Sequence, residues 1–402
     1  MKAERTTTFS LKRFYCCLIL LLPAVLQAQS RYDSLTVNLQ KIMSRDSLPG
    51  MSVVLVDAEH VIYQKNFGYS DVANKIPYTS ETLQHVGSVS KTFIAVALMK
   101  AIELNYFNLE TDINDILPFK IINPHTKTSK ITIRELANHT SGIIDNPAIY
   151  PNTYHFYPNL RPSSPSALGM LQQYGYEQKI ANTSMKEFFY DYLSTDGKYY
   201  SEKNFVNAEP GSSSVYSNIA SALVAYLIEI KSGITYAEFA NKYILNPLKM
   251  EHSGWFLSSV NLERHALLYI NSKEYLPLYD LITYPDGGLK TTSADLSKYL
   301  QAIIKGYRGD TTLLSEASFK AMFKSQFESG KLPKGFNATK RNKGIFWNLY
   351  TNGTIGHDGD DPGVSAFLFF NTTTGKGGLF MCNKYMDDKS PIIGLLIEAV
   401  SR

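Results

Sequence analysis

The chain has 402 residues, with 40 Lys and Arg against 36 Asp and Glu, and 44% hydrophobic and 12% aromatic content. That length and apolar content suffice for a large buried core and exclude a disordered chain. The formal net charge of +4 falls close to zero once the first 28 residues are set aside, so bulk electrostatics predict no nucleic acid and no anionic membrane surface as partner.

Residues 1–28 read as a secretory signal peptide: Lys2, Arg5, Lys12 and Arg13 precede the apolar run Phe14 to Leu22, with cleavage expected near Ala28. The run is shorter than the roughly 20 residues a membrane span needs. Cleavage would leave residues 29–402 in the periplasm or secreted, without a stable membrane anchor and with 36 basic against 35 acidic residues. Cys16 and Cys17 leave with the leader, and Cys382 alone remains, so no intrachain disulfide is expected.

The apolar spacing of Leu35, Val37, Leu39, Ile42 and Met43 predicts a helix over 32–43. The β-rich runs 51–57 and 60–67, joined by Ala58-Glu59, predict a hairpin. A helix is then expected from Ser88 to about Leu104, apolar on nearly every side and therefore buried. Shorter helices are predicted over 132–142 and 185–193. The segment 146–200 is rich in Tyr, Asn, Pro and Ser, and reads as an insertion that serves as a lid or substrate-binding rim. Helices follow over 218–231, 236–243, 294–305 (capped by Ser293) and 316–325. From Gly344 onward the period changes to strands, over 345–350, 354–357, 364–370 and 377–383, before a terminal helix opened by Ser390-Pro391. Strands at both ends with helices between them predict an α+β fold: an antiparallel sheet built from about 29–87 and 285–402, with a mostly helical region over about 92–284.

Three short elements carry the chemistry. In Ser88-Val89-Ser90-Lys91 the spacing of three puts the Ser88 hydroxyl and the Lys91 amine on one helix face. A hydroxyl is a weak nucleophile until a neighbouring base takes its proton, and a buried lysine has its charged form disfavoured and serves as that acceptor. In Tyr216-Ser217-Asn218 the phenol is a second candidate to take the serine proton and pass it to a leaving group, and Asn218 offers a donor and an acceptor to a substrate amide or to Lys91. His357-Asp358-Gly359 supplies an open strand edge for a carbonyl. Together they point to acyl transfer. Ser90 is expected to face away from Ser88, and His139 to be a hydrogen-bonded loop histidine. The eight histidines lack ligand spacing, so no metal and no cofactor are expected.

These elements resemble the serine β-lactamase and penicillin-binding-protein superfamily, in its branch of class C β-lactamases, D-Ala-D-Ala carboxypeptidases, esterases and D-aminopeptidases. The likeness extends through Ile131-Thr132-Ile133-Arg134, His139-Thr140-Ser141-Gly142, Glu209-Pro210-Gly211, Asn246-Pro247-Leu248-Lys249-Met250, Gly287-Gly288-Leu289 and Pro362-Gly363, in order over nearly all of 29–402. The resemblance implies a β-lactamase/transpeptidase-like fold, acylation of Ser88, proton shuttling by Lys91 and Tyr216, and substrate binding by Asn218, His357 and Gly359. It also implies an oxyanion hole from the backbone N–H groups of Ser88 and Asp360. His357 stands where class C β-lactamases carry a lysine, and a ring largely neutral at pH 7 suits a substrate carboxylate less. The cluster Asp358, Asp360 and Asp361 either adds negative charge near this strand or is a solvated turn. The expected activity is carboxypeptidase-like hydrolysis of D-amino-acid peptides, with a small-molecule or peptide substrate as partner. An esterase or β-lactamase of the same fold and a non-turnover penicillin-binding sensor are the alternatives.

Overall fold

A computed structural model describes residues 32–126, 130–161, 163–173, 175–176, 180 and 182–401. The expected signal peptide lies outside the described residues. The chain divides into two units, Met1–Asp46 and Ser47–Arg402. The first contains helix α1 (32–45), whose Leu35, Leu39 and Ile42 recur at helical spacing.

The second unit is built on an eight-stranded antiparallel sheet. Its strands are β1 (Gly50–Val56), β2 (Val61–Asp71), β3 (Ile76–Pro77), β4 (Arg341–Lys343), β5 (Asn348–Tyr350), β6 (Thr354–Asp361), β7 (Val364–Asn371) and β8 (Gly377–Cys382). The spatial order is β4-β5-β6-β7-β8-β1-β2-β3. The joint between the two ends of the sequence is therefore the β8–β1 pair, with Val53 opposite Phe380 and Val54 opposite Leu379. Strands β1, β7 and β8 are buried at every position, which is why their sequences run apolar without alternating. The β1–β2 connection is longer than two residues, because the Asp57 carboxylate accepts from the N–H groups of Glu59 and His60 and closes a side-chain turn.

Between the two parts of the sheet the chain is mostly helical. Helix α2 (Ser90–Glu103) is buried from Ser90 to Met99 and packs on α3 (Asn218–Ser232), which Gly233 ends in the left-handed conformation. Phe93 of α2 stacks on Tyr299 of α4 (Ser293–Tyr307) with ring centroids 3.9 Å apart. Helices α4 and α5 (Ser390–Val400) both pack on β7 and β8. Two further details differ from the sequence expectation. The helix after Ile131 stops at Ala137, because His139 takes φ of +63° and turns the chain away. The cap of α4 is Thr292, whose side chain accepts from Asp295 N–H, one residue before the expected Ser293.

The segment 146–200 contains a strand, Tyr154–Tyr157, paired antiparallel with Leu278–Leu281. Tyr154, Phe156, Tyr176 and Tyr279 pack ring against ring there, so part of the aromatic content of this stretch is a packed cluster.

Candidate active site

Ser88 does not begin the long helix. It sits in a single 3-10 turn, Gly87–Val89, which leads into α2. Gly87 takes φ of +51°, and a β-carbon on it would lie 2.8 Å from the Asp360 nitrogen. A β-carbon on Gly359 would lie 2.0 Å from the Val86 carbonyl oxygen and 3.1 Å from the Ser88 nitrogen. Two glycines thus let strand β6 and the Ser88 turn touch backbone to backbone, which any side chain would prevent. Strand β5 pairs with β6 only at Ile355 and Gly356, so the edge from His357 to Asp361 has no strand partner on that side among the described residues.

The side chains converge on Ser88 Oγ. Lys91 Nζ donates to it at 3.0 Å and the Tyr216 hydroxyl donates to it at 2.7 Å. Lys91 is fully buried, and its remaining N–H groups go to Asn218 Oδ1 and to the Asp286 carbonyl oxygen, both at 2.6 Å. Asn218 therefore spends its oxygen on Lys91, and its Nδ2 donates to Asp145 Oδ2 at 2.9 Å. Burial lowers the Lys91 ammonium below its ordinary range, while Asp286, Asp145, Asp361 and Asp358 pull it back up. Burial of its hydroxyl end and three nearby aspartates push Tyr216 well above the usual phenol value, despite the bond to Ser88, although the residue as a whole is 44% exposed. Of the two candidate proton acceptors, Lys91 is shifted toward neutral pH and Tyr216 away from it. Ser90 faces elsewhere, accepting from Leu289 N–H in the core.

His139 is a buried loop residue. Its Nδ1 accepts from Ser217 N–H at 3.3 Å and its ring lies against Tyr216, 4.5 Å between centroids, which fixes the phenol over Ser88. His357 is buried on β6, with Nδ1 2.6 Å from the Asp358 carbonyl oxygen, and burial lowers its pKa to about 4, so the ring is neutral at pH 7. The three aspartates form no solvated turn: all lie in β6. Asp360 accepts from Ser365 Oγ and pairs with Lys389, which also lies 3.5 Å from Asp358. Asp361 is buried, accepts from the Tyr154 hydroxyl, and is pushed up to about 8 by burial.

Four residues of this surrounding went unnoticed in the sequence. Asp145 accepts from Ser217 Oγ and from the N–H groups of Asn218 and Ile219, so it caps α3 while holding Asn218. Asp286 is buried and raised to about 6, with Tyr150 donating to its Oδ1. Tyr150 and Tyr154 tie the 146–200 segment to the site through these carboxyls. Among the described residues no group of three or more His, Cys, Asp or Glu is placed to hold a metal ion.

A large antiparallel sheet, a buried Ser-x-x-Lys turn, and a tyrosine and an asparagine brought to it from a second helix define a protein of the serine β-lactamase and penicillin-binding-protein class. The chain belongs to the Beta-lactamase family, whose model matches residues 35–393. It is 24% identical over 355 residues to Penicillin-binding protein 4* of Bacillus subtilis, covering 84% of this chain and 68% of that one. It is also 24% identical over 323 residues to the serine beta-lactamase-like protein LACTB, mitochondrial, of Homo sapiens, covering 67% of this chain and 56% of that protein, about half its length. The octameric penicillin-binding protein homologue from Pyrococcus abyssi superposes with a TM-score of 0.73 at 25% identity, over 92% of this chain and 76% of that one. The family consists mostly of serine hydrolases acting on amides or esters, which makes a hydrolase the class of activity supported here.

Proposed function

We propose that this protein is an exported serine hydrolase that works through a Ser88 acyl-enzyme on the amide or ester bonds of D-amino-acid peptides. The observation that carries the reading is the pair of bonds on Ser88 Oγ, from Lys91 at 3.0 Å and Tyr216 at 2.7 Å. In the neutral form Lys91 takes the Ser88 proton as Oγ bonds to the substrate carbonyl carbon. The carbonyl oxygen becomes an oxyanion held by the N–H groups of Ser88 and Asp360, where loss of one donor costs on the order of 3 kcal/mol of transition-state stabilisation. Tyr216 hands its proton to the departing nitrogen or oxygen, and the proton taken up by Lys91 restores the phenol. Water then attacks the ester, its proton returns along the same groups, and free Ser88 and a carboxylic acid product are formed.

The test is covalent. Protein incubated with a fluorophosphonate and with a penicillin is weighed intact, as wild type, Ser88→Ala and Lys91→Ala. Wild type is expected to gain the fluorophosphonate adduct and to turn over esters and peptides, with both variants unlabelled; labelling that survives in Ser88→Ala would sink the mechanism. Labelling without turnover on an ester and peptide panel would replace a hydrolase by a sensor. Export rests on the basic and apolar leader of residues 1–28, and the mass of the protein recovered from the cell envelope checks it.

A further inference from the structure

Strand β6 presents its two faces to different partners. Successive side chains alternate, so Ile355, His357, Gly359 and Asp361 point to one face and Asp358 and Asp360 to the other. Gly359 lies against the Ser88 turn, which puts Asp358 and Asp360 on the face turned away from it. There Asp360 is held at both carboxylate oxygens. Ser365, opposite it on β7, donates from Oγ to Oδ1 at 2.7 Å, and Ser365 Oγ in turn accepts from Met386 N–H at 2.9 Å. Lys389 Nζ pairs with Oδ2. Lys389 stands at the start of α5, which packs on β7 and β8, and its side chain is 11% exposed. The Asp360 side chain is thus pinned from β7 and from the segment that follows β8.

The backbone of the same residue faces the nucleophile. The β-carbon that Gly87 lacks would lie 2.8 Å from the Asp360 nitrogen and 2.9 Å from its carbonyl oxygen, so both backbone groups of Asp360 border the turn that carries Ser88. Lys389 also balances charge on the far face. Asp358 and Asp360, two residues apart along the strand, lie about 7 Å from one another on that face. Lys389, 3.5 Å from Asp358, is the one lysine or arginine that pairs with either carboxylate among the described residues. Without it two like charges would repel beside an edge that β5 leaves unpaired after Gly356.

A backbone donor stabilises an oxyanion only if it is already aimed when the charge forms. We propose that Lys389 is a positioning residue for the Ser88 reaction: through the Asp360 carboxylate it fixes the Asp360 N–H that faces the developing oxyanion. Ser365 serves the same end from β7. Lys389 acts from the opposite face of the strand and only through Asp360. The proposal rests on the Ser88 acyl-enzyme reading above.

Turnover of p-nitrophenyl acetate and the second-order rate of fluorophosphonate labelling both read the oxyanion hole, because each reaction places a charged oxygen there. Loss of a whole donor costs on the order of 100-fold in kcat, so a misaimed one is expected to cost about tenfold. Lys389→Met is therefore expected to lower kcat and the labelling rate about tenfold with KM within about twofold of wild type, and Lys389→Arg, which keeps the charge, to recover most of the loss. In an Asp360→Asn background, where the carboxylate is already gone, Lys389→Met is expected to cost less than about twofold. A lysine that merely fastens α5 to the sheet would lower the thermal unfolding midpoint and leave the rates of the folded protein unchanged. Ser365→Ala removes the other partner of Asp360 and carries the test should Lys389→Met not fold. Rates within about twofold of wild type in the folded variants, a loss in KM instead of kcat, or an equal loss in the Asp360→Asn background overturns the positioning role, while normal labelling of Ser88 leaves the hydrolase reading intact. Absence of Ser88 labelling in wild type overturns both.

Discussion

At the scale of single residues, the site couples one lysine to several buried carboxyls, and the signs of those couplings are testable. In the role proposed for it, Lys91 accepts a proton only when neutral, so kcat/KM is expected to rise with pH through its lowered pKa. Asp286 is the foremost of the carboxylates that oppose this lowering. In Asp286→Asn the negative charge is lost while an oxygen remains for Tyr150, so the ascending limb of the pH–rate profile is expected to move to lower pH. A limb that stays in place or moves up would contradict the coupling. Asp361 offers a second test. Its folded pKa of about 8 stands above the ordinary carboxyl value of 3.8, so between those pH values the folded protein holds a proton the unfolded chain has released, and stability falls as pH rises. Asparagine cannot ionise and still accepts from Tyr154. Urea unfolding is therefore expected to show Asp361→Asn more stable than wild type at pH 8 by at least about 1 kcal/mol, with the difference shrinking toward pH 4.

At the scale of elements, the decisive contact is between strand β6 and the turn before α2. Gly359→Ala places a methyl carbon 2.0 Å from the Val86 carbonyl oxygen, so the strand or the turn must shift. A displacement of about 1 Å at a reacting group costs on the order of 100-fold in rate, and Gly359→Ala is expected to lose at least that much kcat while the protein remains folded by circular dichroism. Activity within a few fold of wild type would show that the backbone contact does not align Ser88. Helix α3 contributes in another way. Its N-terminus is capped twice, by Ser217 and by Asp145, so the residue that meets Lys91 stands on a fixed first turn.

For the whole molecule, the sheet closes late in the sequence. Strand β1 lies between β2 and β8, and β8 ends at Cys382. A chain ending at residue 343 keeps every residue of the Ser88, Lys91, Tyr216 and Asn218 group but leaves β1 with an open apolar edge. Such an edge invites association with other chains. That truncation is expected to be insoluble or to lack cooperative thermal unfolding, and a soluble, cooperatively folding product would refute the dependence of β1 on β8.

Much of this was legible in local sequence. Turn residues, capping residues and apolar periods act over a few positions, which is why the strands from Gly344 onward, the helix Met185–Leu193 and the helix closed by Gly233 were readable. The Ser88–Lys91 pair is local for the same reason. The other partners of that pair were not local: Asn218 meets Lys91 across 127 positions, Asp286 across 195, and Tyr154 meets Asp361 across 207. No periodicity connects such residues, and an aspartate in a strand reads no differently from one in a solvated turn until its neighbours are known. Sequence alone determined most of the helices and the main strands, the antiparallel α+β architecture and the candidate nucleophile with its lysine, because these follow from backbone preferences and side-chain spacing. Only the tertiary structure decided which charged groups lie beside that candidate nucleophile, and that two glycines bring Ser88 against β6. Those properties come from burial and close approach, which exist only once distant segments pack.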